Sequence, residues 1–172
     1  MQDNQLKLSF TRIKGVPSIF QSEKFSILIG RNNSGKFELL RLIHETYPHL
    51  NSNDEVIEFS ERHFFNFGEE VDFRFIKSNS LILIANIESG LDPANIRNLI
   101  KDLNDLIDKK NCVVIGITYS PIVLNEFTDK EYSIFVFPDD LEKGLIPLDE
   151  FKDPVWLALN RLGTLYDREK LF

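Results

Sequence analysis

Apolar residues in this chain alternate between short unbroken runs and longer stretches with helical spacing. Leu81 to Ile84 and Val113 to Ile117 are fully apolar, short and rich in β-branched side chains, the pattern of strands buried on both faces of a parallel sheet. Between them, Pro93 to Lys110 places Ile96, Leu99, Ile100, Leu103, Leu106 and Ile107 on one helical stripe, and Lys109 and Lys110 stand near the end where cations favour the helix dipole. Ahead of them, Phe25, Ile27, Leu28 and Ile29 predict a strand, and Leu39, Leu40, Leu42 and Ile43 predict a helix ending near Pro48. Leu6 to Ile13 and Pro17 to Phe20 read as a leading strand pair separated at Gly15. Tyr132 to Phe137 reads as a later strand before a turn around Gly144. Asp153 and Pro154 predict the N-cap and first position of a last helix. Asn51 to Arg62 is acidic and predicts no distinct element, and no internal repeat or low-complexity segment stands out. Strands alternating with amphipathic helices predict a three-layer α/β fold with a largely parallel sheet and an N-terminal antiparallel strand pair.

Composition narrows the setting. A chain of 172 residues with 42% hydrophobic content is long enough for one domain with a real core, and residues 1–172 are expected to form a single compact domain. The formal charge of −7 and the lack of a Lys/Arg cluster argue against direct nonspecific binding to nucleic acid or anionic membrane; nucleic acid would be reached only through a partner. Cys112 is the single cysteine, which excludes an internal disulfide and fits a reducing compartment. No apolar run approaches membrane-spanning length and the N-terminus lacks a secretory pattern, so a cytoplasmic protein without membrane contact is expected. Among the 15 phenylalanines, Phe64, Phe65, Phe67, Phe73 and Phe75 cluster, and core packing is the expected reason.

The candidate chemistry starts where the first buried strand ends. Ile27 to Phe37 reads ILIGRNNSGKF, so the strand runs into Gly30-Arg31-Asn32-Asn33-Ser34-Gly35-Lys36 and then into a helix, the order a phosphate-binding loop requires. Gly30 and Gly35 allow backbone N–H groups to converge, the helix N-terminus adds its dipole and Lys36 adds an ammonium. Gly30, Asn32, Asn33, Ser34, Gly35 and Lys36 are the expected nucleotide-binding residues. The next position should carry Ser or Thr to hold magnesium and carries Phe37 instead.

In order along the chain, further segments resemble the ABC-type ATPase heads of SMC-like and overcoming-lysogenization-defect-like proteins. GRNNSGKF is similar to that family's phosphate motif, LILIANIESGLDP at Leu81 to Pro93 to its acidic motif and dimer-contact loop, and VVIGITYSPIVL at Val113 to Leu124 to its switch segment. FNFGEE at Phe65 to Glu70 is a weaker match to the signature loop, and Phe151 to Phe172 resembles the C-terminal tail of small stand-alone relatives. The resemblance implies the three-layer P-loop NTPase fold of the ABC-ATPase type. It also implies dimer or partner contacts at Phe67, Gly68, Ser89, Gly90 and Asp92, although an N-cap Asp followed by Pro accounts equally well for Asp92-Pro93.

The departures from that pattern bear on chemistry. The strand that should end in Asp-Glu ends in Ala85-Asn86, removing the metal anchor and the general base, since neither side chain accepts a proton at neutral pH. The switch His falls at Tyr119, and no His follows His63 anywhere in the chain. No Gln follows Gln21, and the signature Ser falls at Asn66. Asp139-Asp140 follows an apolar run, but Pro138 intervenes and a turn is expected there. Only about thirty residues separate Lys36 from the signature-like loop, too few for a coiled-coil arm.

Taken with Phe37, Ala85, Asn86 and Tyr119, the resemblance implies a degenerate ABC-type ATPase domain without catalytic residues or a metal site. Such a domain would act as a nucleotide-binding or assembly subunit, in the setting of the DNA-repair or anti-phage complexes that many of those proteins serve. The expected cofactor is ATP or ADP without magnesium, or none. The expected partner is a second copy, an active ABC-type relative or an effector protein. A slow but genuine ATPase and a non-hydrolysing nucleotide sensor are the alternatives.

Overall fold

A computed structural model of the chain describes residues 6–9, 19–22, 24–32, 34–45, 49–52, 55–57, 59–66, 72–126, 133–137 and 145–151. The elements follow in the order β1 (Leu6–Ser9), β2 (Ile19–Ser22), β3 (Phe25–Gly30), α1 (Lys36–Glu45), β4 (His49–Ser52), β5 (Glu55–Ile57), β6 (Arg62–Phe65) and β7 (Leu81–Ile84). Then come α2 (Pro93–Lys110), β8 (Val113–Ile117), α3 (Pro121–Glu126), β9 (Ser133–Phe137), β10 (Ile146–Pro147) and α4 (Leu148–Phe151).

Six strands form the main sheet in the order β10-β9-β3-β8-β7-β6. β3 pairs in parallel with β8 on one side and β9 on the other, and β8 with β7 and β7 with β6 are parallel too. From β3 the chain runs out to the edge at β6, returns through β7 and β8, and crosses to the far side of β3 as β9. Parallel pairing directs the carboxyl ends of β3, β7, β8 and β9 to one edge, where ligand crevices of open α/β sheets lie.

Side chains alternate across this sheet and build a core on each face. Ile27, Ile29, Ile82, Ile84, Val114 and Val136 face Ile96, Ile100, Leu103 and Leu106 of α2 and Val123 and Leu124 of α3. Leu28, Leu81, Leu83, Val113, Ile115, Ile117, Phe135 and Phe137 face Leu39, Leu40 and Ile43 of α1. Burial on both faces explains why these strands read as continuous apolar runs. The layering is therefore helix, sheet, helix, as the alternation of patterns predicts.

α2 spans the interval its apolar stripe predicts, because both ends carry their stop signals. Asp92 accepts hydrogen bonds from the backbone N–H groups of Ala94 and Asn95 at 2.9 Å each, with Pro93 in the first turn. At the other end Asn111 adopts a left-handed conformation with φ 53° and donates its backbone N–H to Leu106.

Several expectations are corrected. The N-terminal strands do pair antiparallel, Leu6 opposite Ser22, but not within the parallel sheet: they join β4 and β5 in a separate four-stranded sheet of order β2-β1-β4-β5. The antiparallel pairing of the main sheet comes instead from the C-terminal side, where β10 lies against β9. The acidic interval 51–62 is not without structure, since it contains β5 and leads into β6; three- and four-residue strands are too short to show a period. The end of α1 at Glu45 agrees with the helix predicted to end near Pro48. The Phe cluster is only partly core: Phe64, Phe65 and Phe73 pack as half-buried residues, whereas Phe75 is 79% exposed beside Arg74. The helix expected at Asp153, the turn at Gly144 and Asp139-Asp140 lie outside the described residues.

Among the described residues, no helix is long and apolar enough to cross a membrane.

Candidate phosphate-loop site

The loop between β3 and α1 depends on backbone geometry available to glycine. Gly30 has φ 148° and Gly35 φ 96°, a region that L side chains rarely adopt. Gly30 is also closely packed. It pairs with Phe137 across the β3–β9 ladder, and a Cβ added there would lie 2.5 Å from the Phe137 carbonyl oxygen. α1 begins at Lys36, and its first turn is closed by the Leu39 N–H donating to the Gly35 carbonyl at 2.9 Å. The N–H groups ahead of that bond belong to the turn whose donors lack intrahelical acceptors.

Lys36 is 2% exposed. Its ammonium donates to the carbonyl oxygens of Gly30 at 2.8 Å and Arg31 at 2.6 Å and to the Ser34 hydroxyl at 3.0 Å, so it closes the loop on itself. Above it stands the Tyr119 ring, 4.7 Å from Nζ to the centroid, within cation–π range. Burial draws the Lys36 ammonium down from its ordinary value of 10.5 to about 8, partly opposed by the Glu38 carboxylate. The same surroundings act oppositely on the phenol: burial raises Tyr119, with help from the Glu88 and Glu38 charges.

The positions singled out as degenerate converge on the carboxyl edge of the sheet. Ala85 follows β7, is 2% exposed and offers only a methyl group beyond its backbone. The Asn86 amide, turned so that Nδ2 faces Glu88, donates to both carboxylate oxygens at 3.0 Å. Phe37 is partly exposed and directs its ring edge-on to Phe64 of β6, 5.7 Å between centroids. The Phe37 ring and the Ala85 methyl offer no oxygen donor, and the Asn86 Nδ2 is directed at Glu88. Among the described residues, no group of three or more His, Cys, Asp or Glu converges to hold a metal ion.

Glu88 is the residue that motif reading missed. Besides the Asn86 amide, its carboxylate accepts the Thr118 hydroxyl at 2.7 Å on Oε2 and the Tyr119 backbone N–H at 2.7 Å on Oε1. The clamp ties the segment after β7 to the segment after β8, reinforced by the Ile87 N–H donating to the Ile117 carbonyl at 3.0 Å. The side chain of Ile87 lies against Gly116, where a Cβ would come within 2.5 Å of Cδ1. The only sequence signal for Glu88 was a carboxylate close behind a buried strand.

The remaining predicted residues are more scattered. Ser89 and Gly90 lie in the turn from Asn86 to Leu91, which is held by the Ser89 N–H to Asn86 and Leu91 N–H to Glu88 carbonyl bonds. Gly90 has φ 71° and open space around it. Asp92 is exposed and caps α2. Asn32 is exposed in the loop. Asn33, Phe67 and Gly68 lie outside the described residues. Asn66 is exposed beyond β6, and the described stretch 72–80 that follows holds a single 3₁₀ turn, Phe73–Phe75, and no α-helix.

Among solved structures, the chain is similar to one described as the structure of the ATP binding subunit of an ABC transporter. The two share a TM-score of 0.57 and 15% identity, over 96% of this chain and 99% of that one. No family model matches the sequence, and no curated protein matches it. Likeness at this level of identity concerns architecture, and together with the strand–loop–helix unit at Gly30 to Lys36 it gives the chain the ABC-type P-loop ATPase fold.

Proposed function

We propose that this chain is a pseudo-ATPase: an ABC-type domain that keeps a phosphate cradle, has lost the groups for hydrolysis, and serves as a nucleotide-binding assembly subunit. The observation that carries the reading is the set of side chains at the carboxyl edge of β7 and β8. Ala85 and Asn86 occupy the strand end from which a metal anchor and a base would reach a bound nucleotide, and Tyr119 stands over Lys36. General-base catalysis alone contributes roughly 10²- to 10⁴-fold in rate, and groups that act as a unit lose their effect together. What survives is affinity: two glycine-dependent turns, a helix N-terminus and one ammonium, which suit ATP or ADP phosphates without magnesium.

The assembly role rests on the same edge. The turn from Asn86 through Asp92 holds its form while the chemistry beside it is gone, so this face is proposed to bind a second copy or an active relative. With Tyr119 in place of the switch His, no side chain is proposed to sense a γ-phosphate there, which supports association independent of nucleotide. A cytoplasmic place in a DNA-repair or anti-phage complex is part of this proposal.

Glu88 favours a second reading, a slow ATPase, because it is a carboxylate at the correct edge. Its oxygens already accept from Asn86, Thr118 and Tyr119, which makes it a poor base. ATP turnover with magnesium decides between the two. The pseudo-ATPase shows no hydrolysis above a Lys36→Ala control; turnover that Lys36→Ala and Glu88→Gln both abolish transfers support to the slow enzyme.

A further inference from the structure

Tyr119 does more than occupy the position of the switch His. Its backbone N–H is bound to Glu88 at 2.7 Å, and the neighbouring Thr118 hydroxyl is bound to the same carboxylate at 2.7 Å. Thr118 also accepts the Ser120 N–H at 3.1 Å, so the backbone on both sides of Tyr119 is fixed. The ring itself packs as a half-buried residue on the core that includes Leu39, Leu40 and Phe135. A ring so held defines one side of the space around the Lys36 ammonium, and the loop carbonyls and Ser34 define the other.

In a loop of this kind the backbone cradles the inner phosphates and the lysine reaches the outer ones. A phosphate approaching along the loop can replace the Ser34 hydroxyl, the longest of the three Lys36 bonds at 3.0 Å, without moving the ring. A further phosphoryl group between ammonium and ring has no such path. It needs about 2.8 Å on the ammonium side for a charge-assisted hydrogen bond. It then needs van der Waals contact of roughly 3.5 Å on the ring side. The ring centroid lies only 4.7 Å from Nζ.

We propose that Tyr119, held in place by Glu88, makes this loop selective for a nucleoside diphosphate and turns away the triphosphate. Glu88 is the positioning residue, acting through the Tyr119 backbone, and the Tyr119 ring is the specificity-determining group. The proposal rests on the nucleotide-binding half of the proposed function and is independent of the assembly half.

The test is calorimetric titration of the full chain with ADP and with ATP, both with chelator present, for wild type, Tyr119→Ala, Tyr119→Ser, Tyr119→Phe and Glu88→Gln. ADP is expected to bind wild type at least about tenfold tighter than ATP. Tyr119→Ala and Tyr119→Ser should bring the two affinities within about threefold by strengthening ATP. Tyr119→Phe, which keeps the ring, should preserve the wild-type preference, and Glu88→Gln should reduce it partway, a change that general loss of stability would not produce because it would weaken both ligands alike. Equal wild-type affinities, or a preference that survives removal of the ring in whichever of the two small variants folds, overturn the selectivity while leaving nucleotide binding intact. Failure of wild type and the small variants to bind either nucleotide at millimolar concentration overturns the binding half of the proposed function, and the selectivity with it.

Discussion

A side-chain carbon at Gly30 would sit 2.5 Å from the carbonyl oxygen of Phe137 and 3.1 Å from its Cβ. Glycine therefore serves two purposes at this position, allowing φ 148° and letting β3 run against β9 to its last residue. Gly30→Ala is expected to cost about 2 kcal/mol or more, since backbone strain of this kind alone is worth roughly 1–3 kcal/mol and the clash adds to it. Urea unfolding measures it; a loss below about 0.5 kcal/mol would mean that β9 yields freely.

Lys36 gives the protein a pH dependence in the alkaline range. Its folded value of about 8 lies below the ordinary 10.5, so between those limits the unfolded chain holds a proton that the folded chain has released. The Lys36 contribution to stability therefore rises with pH across that window, and Lys36→Met should remove this rise. Tyr119 acts in the opposite sense above its ordinary value of 10, because its folded value is raised. Phosphate affinity follows the charge: it should be level below pH 8 and fall above it as the ammonium is lost. Nucleotide titrations at pH 7, 8 and 9 check this, and an affinity that rises with pH contradicts it.

Magnesium should matter little to binding. With Phe37, Ala85 and Asn86 around the loop, affinity is expected from backbone N–H groups and Lys36 directly. Calorimetry with and without chelator should agree within about tenfold, equivalent to about 1.4 kcal/mol. A larger loss on chelation would reveal a metal site contributed by other groups.

Asp92 separates capping from association. Asp92→Ala removes the acceptor for the Ala94 and Asn95 N–H groups and should lower stability by about 1 kcal/mol, while Asp92→Ser restores most of it. In sedimentation at micromolar concentration the wild type should show one oligomer regardless of ATP, weakened by Asp92→Arg and by Phe67→Asp with the fold retained. A monomer that captures no active relative would remove the assembly role, and an ATP-induced dimer would favour the sensor.

The most readable parts of the fold are those whose signals are local. β7, α2 and β8 emerge at their predicted bounds because burial on two faces gives unbroken apolar runs and because Asp92, Pro93 and Asn111 mark the helix ends within a few residues. The strand–loop–helix order at Gly30 to Lys36 is readable for the same reason, its glycines standing between a strand and an amphipathic helix. β5 and β6 were illegible, since Glu55–Ile57 and Arg62–Phe65 mix polar and apolar residues and are too short for a period, whereas the equally short β7 is an unbroken apolar run.

By itself, then, the sequence determined the alternation of strands and helices, the strand–loop–helix order at Gly30 to Lys36 and which residues stand at positions 37, 85, 86 and 119. Tertiary structure alone decided that the N-terminal pair joins a separate sheet, that Glu88 binds the segment carrying Tyr119, and that this ring covers Lys36. The physical reason is range. Helical stripes, caps and glycine turns are energetic preferences of adjacent residues, whereas the meeting of Lys36, Glu88 and Tyr119 follows from parallel pairing that brings the ends of β3, β7 and β8 to one edge.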